Sequence, residues 1–192
     1  MMRKVLTGQI LLILCCVFYL IWWYRGYRPG VTVERVRGIN GFLLAVTAAL
    51  GIAGLSLSLM HVPMTAAPKI SPTVIAAIGL LSYFALLLVT RYVFHRIVTT
   101  ELLLIVVWTM LEMTVISRLN AGGMLSDGCF SAMCAVIVGA FLISIVLYVC
   151  YYRMEAIRAF YAAMIPLITE AASMGILMGM LLKVYLSAHV RR

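Results

Sequence analysis

The 192 residues are 65% hydrophobic with a mean hydropathy of +1.13, and only 11% carry charge, so a soluble fold and a second, soluble domain are set aside at once. The formal charge of +9 would suit nucleic acid in a soluble protein. Here the Lys and Arg side chains stand at the ends of apolar blocks, as membrane anchors do, and no extramembrane surface is left to build a basic face.

The first apolar run, 5–24, follows the basic start Arg3–Lys4 and ends in Trp22, Trp23 and Tyr24. A cleavable signal has a shorter core and ends at small residues; this run ends in aromatics and Arg25, which predicts a retained span with an interfacial aromatic belt. Arg25, Arg28, Arg35 and Arg37 then surround Glu34, with Pro29 and Gly30 marking a turn. We read this island as a boundary loop against lipid headgroups in preference to an anion- or partner-docking loop. The second span, 40–60, carries Gly41, Ala45, Ala49 and Ala53 at four-residue steps, a spacing that lets helix backbones approach closely. After His61, Pro63, Pro68 and Lys69, the pair Ser71–Pro72 supplies a cap and a first-turn proline for a third span, 72–90.

A basic and aromatic connector containing Arg91, His95 and Arg96 leads to the fourth span, 99–117, which leaves through Arg118 and Asn120 into a turn broken by Gly122, Gly123 and Gly128. The fifth and sixth spans, 129–152 and 158–187, are separated only by Arg153, Glu155 and Arg158. Unbroken, the two would form a helix of roughly 90 Å, about three times the hydrocarbon thickness, so the chain must reverse there. The fold class is all-α: one transmembrane domain, 1–192, of six helices, with five or seven as the alternatives. Connectors one, three and five hold Arg25, Arg28, Arg35, Arg37, Arg91, Arg96, Arg153 and Arg158, whereas two and four hold Lys69 and Arg118. That asymmetry places the odd connectors in the cytoplasm of a plasma-membrane protein, although Arg3, Lys4, Arg191 and Arg192 then fall on the opposite side.

Two acids interrupt the apolar runs. Glu112 lies inside the fourth span and Glu170 near the middle of the sixth. A charge at the bilayer centre costs about 2.5–3.5 kcal/mol even on lenient insertion scales, so each is expected to face protein, trapped water or a ligand. Glu101, Trp108 and Glu112 fall on one stripe, with about 16 Å of rise between the two acids. Glu101, in the first turn, is read as a helix-dipole partner. Trp108, one turn before Glu112, is read first as core filler and second as a cavity wall. Pro166, four residues before Glu170, deprives the Ala162 carbonyl of its helical partner and predicts a kink close to the acid. Ala171, Gly175 and Gly179 form a small-residue stripe on the next turns.

Other chemistry is poorly represented. Cys15, Cys16, Cys129, Cys134 and Cys150 show no metal-ligand spacing, and His61, His95 and His189 stand at membrane boundaries. Lys183, Tyr185 and His189 read as snorkelling residues, and the 13 methionines as adaptable packing. No hydrolase or phosphate-binding motif is present, so no cofactor, no metal and no enzymatic activity is assigned. The first functional reading is a bundle that binds or moves a small solute, proton or cation, with Glu112 and Glu170 as polar determinants and Trp108 beside them. The second is a membrane adaptor or assembly factor that packs against a protein partner or a second copy through its small-residue faces. An enzyme comes third.

Overall fold

A computed structural model describes residues 2–28, 37–60, 66–93, 100–151 and 153–190, and every element in them is helical. The helices are α1 (Met2–Tyr27), α2 (Arg37–Met60), α3 (Pro72–Tyr92), α4 (Thr100–Ala121), α5 (Asp127–Tyr151), α6 (Ala156–Ala162) and α7 (Ile165–Val190). Five stretches are long and apolar enough to cross a membrane: Arg3–Gly26, Ile39–Met60, Pro72–Tyr92, Asp127–Tyr151 and Ile157–Ser187. The last takes in α6 and α7. The 22 residues of α4 make a rod of about 33 Å, and it is this acid-bearing helix that the others surround, touching α2, α3, α5 and α7.

Side chains of α1, α4, α5 and α7 interlock in the core, among them Leu12, Val115, Ile116, Met133, Ile137, Met174 and Leu177, none exposed. The outside of the bundle is equally apolar: Phe42, Ile52, Leu81 and Val146 are all at least 60% exposed, an arrangement that only hydrocarbon solvates well. Most spans begin or end a few residues beyond the bounds read from the sequence. α1 runs through its aromatic end to Tyr27, and Trp23 and Tyr24 pack on Phe160 of α6 with ring centroids 6.4 and 6.0 Å apart.

The expected cap is in place on α3, where Ser71 accepts a hydrogen bond from the Val74 N–H at 3.2 Å and Pro72 opens the helix. α4 ends in a Schellman turn. The Met124 N–H reaches back to the Leu119 carbonyl and the Gly123 N–H to that of Asn120, with Gly123 at φ +69°, a conformation glycine adopts without strain. The sixth span departs from the single helix expected. It breaks at Ala163–Met164, where the Met164 N–H turns to the Tyr161 carbonyl, and the second segment starts just before Pro166, whose missing N–H is harmless in a first turn.

The small-residue stripes do not mediate packing within the described chain. Gly41, Ala45, Ala49 and Ala53 are exposed, and added Cβ atoms at Gly41, Gly175 or Gly179 would meet nothing within 4 Å. α2 instead turns Leu43, Thr47, Gly54 and Ser58 to α1, a face offset by two residues and therefore about 200° round the helix. On that face a Cβ at Gly8 would collide with Ser58 Oγ and come within 2.9 Å of the Gly54 carbonyl, so the backbones themselves are in contact. A buried hydrogen bond from Gln9 Nε2 to Ser58 Oγ, 3.2 Å, closes the same interface.

Within 29–36, 61–65, 94–99, 152 and 191–192 lie residues singled out above that are outside the described ones: Pro29, Gly30, Glu34, Arg35, His61, Pro63, His95, Arg96, Thr99, Arg191 and Arg192. The side chains of Arg37, Glu101 and His189 are outside them too. Because the α1–α2 contact has no room for one more carbon, Gly8→Ala is expected to destabilise the protein by about 1–3 kcal/mol. Ala49→Gly, on the outward face of α2, should cost no more than its helix propensity, about 1 kcal/mol. Unfolding of both variants in mixed micelles, followed by circular dichroism, checks the order.

Candidate functional site

Both acids point into protein, Glu112 from α4, which is not one of the five stretches named above. Glu112 and Glu170 are each 1% exposed, on α4 and α7 respectively, and a serine from a neighbouring helix meets each carboxyl. Ser173 Oγ stands 2.8 Å from both Glu112 Oε1 and Oε2, and also 2.8 Å from the backbone carbonyl of Glu170 one turn earlier. Ser144 of α5 donates to Glu170 Oε1 at 3.4 Å. A single serine on α7 thus ties the first acid to the backbone that carries the second, and α5 closes the chain from the other side.

The register of α7 makes this possible. Residues three apart share a helix face, so Glu170 and Ser173 both turn inward together with Met174 and Leu177. Ser173 and Ser144 were not picked out by the sequence reading. Serine is common in transmembrane helices, and the only signal for Ser173 is its position three residues after an acid on an otherwise apolar face.

The hydrogen-bond inventory of this cluster is uneven. A serine hydroxyl carries one proton, yet Ser173 has three oxygen neighbours at hydrogen-bond distance, and the carbonyl among them can only accept. Glu170 Oε2 has no hydrogen-bond partner among the described residues. The thiol of Cys16, on α1, is buried. Among the described residues no Lys or Arg forms an ion pair with either acid, and no group of three or more His, Cys, Asp or Glu could hold a metal ion.

Trp108 is half-buried and packs against the main core. Its indole N–H has no hydrogen-bond partner among the described residues. Next to the acids, a cleft of about 240 Å³ between α5 and α7 has Ser173 on its floor and small residues, Gly139, Ala140 and Ala172, on its walls. Ser173 thus joins this cleft to the acid cluster.

At one end of the bundle a second polar group, formed around the last turn of α4, fixes the connectors. Ser117 donates to the Ile70 carbonyl, 2.9 Å, and Arg118 Nη1 to the Leu59 carbonyl, 2.8 Å. The Ala66 N–H reaches the Ala121 carbonyl, and Lys69 pairs with Asp127 at 2.6 Å. Arg118, read from the sequence as a loop residue, is therefore a bolt between α4 and the end of α2. Of the cysteines, Cys15 and Cys16 are buried and Cys150 is exposed, and all five are free thiols.

Compared with protein-family models, with curated proteins and with solved structures, the chain matches none.

Removing the Ser173 hydroxyl leaves Glu112 without its partner in a medium that offers no substitute. Ser173→Ala is expected to lose about 1–3 kcal/mol of stability. In the Glu112→Leu background the same change should cost far less, so a double-mutant cycle on thermal unfolding in detergent measures the coupling directly.

Proposed function

We propose that the protein handles a small solute or ion within the membrane, and that Glu112 and Glu170 form a proton-carrying pair at the centre of its bundle. The observation that carries this reading is the crowding of one hydroxyl by three oxygens. If the Ser173 proton goes to the Glu170 carbonyl, the 2.8 Å contacts with Glu112 need a proton from the carboxyl itself. Two acids in a low-dielectric core, with no cation paired to them among the described residues, are cheaper to keep when protons or a bound cation neutralise them. A proton held on Glu112, and released when a cation or solute takes its place, would give the bundle a charge it can exchange for that of a solute. The small-walled cleft between α5 and α7 is the path by which a proton or solute would reach the pair.

The second reading, an adaptor or assembly factor, draws on a different observation. The stripe Gly41, Ala45, Ala49 and Ala53 faces outward, where another helix could approach closely. The two readings separate on the acids: a partner-binding role leaves them as packing elements with no exchangeable proton. The bilayer we assign is the plasma membrane, with the connectors before α2, α4 and α6 in the cytoplasm.

Infrared difference spectra of the reconstituted protein across a pH titration should show the carbonyl stretch of a buried carboxylic acid, lost in Glu112→Gln. Expression and helical content should be largely retained in that variant. A spectrum without such a band, or one that Glu112→Gln leaves unchanged, removes the proton-carrying role. For the topology, Met154→Cys in a chain with its native cysteines replaced by serine should react with an impermeant maleimide only after cells are opened. Reaction in intact cells reverses the orientation.

A further inference from the structure

α3, α4 and α5 enclose a cavity of about 350 Å³ that the carboxyl pair does not use. Its volume is at the lower end of the ~300–1,000 Å³ range of small-molecule sites. Ile75, Gly79, Val106, Met110 and Phe141 form its wall, which is almost without polar surface. The hydroxyl of Thr109, another lining residue, is already spent on the Ile105 carbonyl at 2.9 Å. A buried water needs two to four polar partners, so this wall selects a hydrocarbon occupant.

The cavity opens sideways between Ile78 and Leu142, which are 58% and 57% exposed on the lipid-facing side of the bundle. At Gly79 the thioether of Met110 packs where a Cβ would stand, so α4 approaches α3 closely beside the slot. Met110 and Met113 line the slot from α4 with flexible side chains that can follow the shape of a guest. At its end stands Ile70, and the residue before it, Lys69, lies just outside the cap of α3, half-exposed at the polar boundary. The Lys69 ammonium gives one hydrogen bond to Asp127 and has three to give.

We propose that this slot holds one acyl chain of a membrane phospholipid, whose headgroup phosphate sits against Lys69. The chain enters from the bilayer past Ile78 and Leu142 and lies along Gly79 and Met110. The phosphate takes the ammonium protons that Asp127 leaves. This assignment is independent of the carboxyl pair, because the residues that line the slot occupy a different face of α4 from Glu112.

The test uses the full chain reconstituted in phosphatidylcholine nanodiscs with a small fraction of phosphatidylglycerol that carries a diazirine in mid-chain. After illumination, adducts are mapped by mass spectrometry. The expected result is labelling of Ser82, Met110 or Phe141 several-fold above that of outward residues such as Phe42 and Leu81, and unlabelled phosphatidylglycerol should compete it away. Val138→Trp, which plugs the mouth, should abolish labelling of the slot and leave outward labelling unchanged. Lys69→Gln should weaken labelling of the slot alone. Should Val138→Trp fail to fold, the competition experiment decides by itself. Even labelling of outward residues with none in the slot, or slot labelling that does not saturate, overturns the proposal. Crosslinks from the slot to a second polypeptide overturn it in favour of a partner helix.

Discussion

The hydroxyl of Ser173 fixes how the acid-bearing helices stand toward one another. Within hydrocarbon, a polar group has no solvent to fall back on, so each must be matched inside the protein. Glu112 finds its match on α7 and Glu170 finds part of its own on α5, and these two demands set the rotation of three helices at once. Apolar side chains such as Val115, Met133 and Met174 then fill the space that this rotation leaves. Dispersion alone would tolerate several packings of so uniform a surface. A short hydrogen bond between defined atoms selects one of them.

The flanking helices obey a different constraint. α1 and α2 meet backbone to backbone at Gly8 and Gly54, where the gain lies in close approach and in the buried Gln9–Ser58 hydrogen bond. Around the last turn of α4, Ser117, Arg118 and the Ala121 carbonyl hold the end of α2 and the connector into α3. The acid-bearing helix therefore organises the bundle twice, through carboxylate chemistry at mid-depth and through carbonyl capture at one end. Outside these points the surface is mostly apolar.

Much of this was legible in the sequence, and the reason is the bilayer itself. Apolar runs of fixed length announce spans, and the Ser71–Pro72 pair announces the start of one. The two acids stood out because their cost in lipid is so large. What stayed hidden depends on neighbours. Both faces of α2 carry small residues, so spacing alone chose Gly41, Ala45, Ala49 and Ala53, while the close contact with α1 uses Gly54 and Ser58. Ser144 and Ser173 gain meaning only once a carboxyl lies opposite, which no local pattern records. Pro166 marked the kink of the last span but not its position, since proline in a first turn permits a complete break just ahead of it.

The 61 residues that separate Glu112 from Ser173 bear on how the chain is made. Synthesis is vectorial, and α4 emerges before α5 and α7, the helices that supply or support its acid's partner. The nascent chain must therefore shelter an isolated carboxyl through the insertion of two further spans, against the hairpin already formed by α1 and α2, at the translocon or in neutral form. Closure of the interior therefore waits on α7, and a chain truncated before it leaves Glu112 without the hydroxyl that matches it.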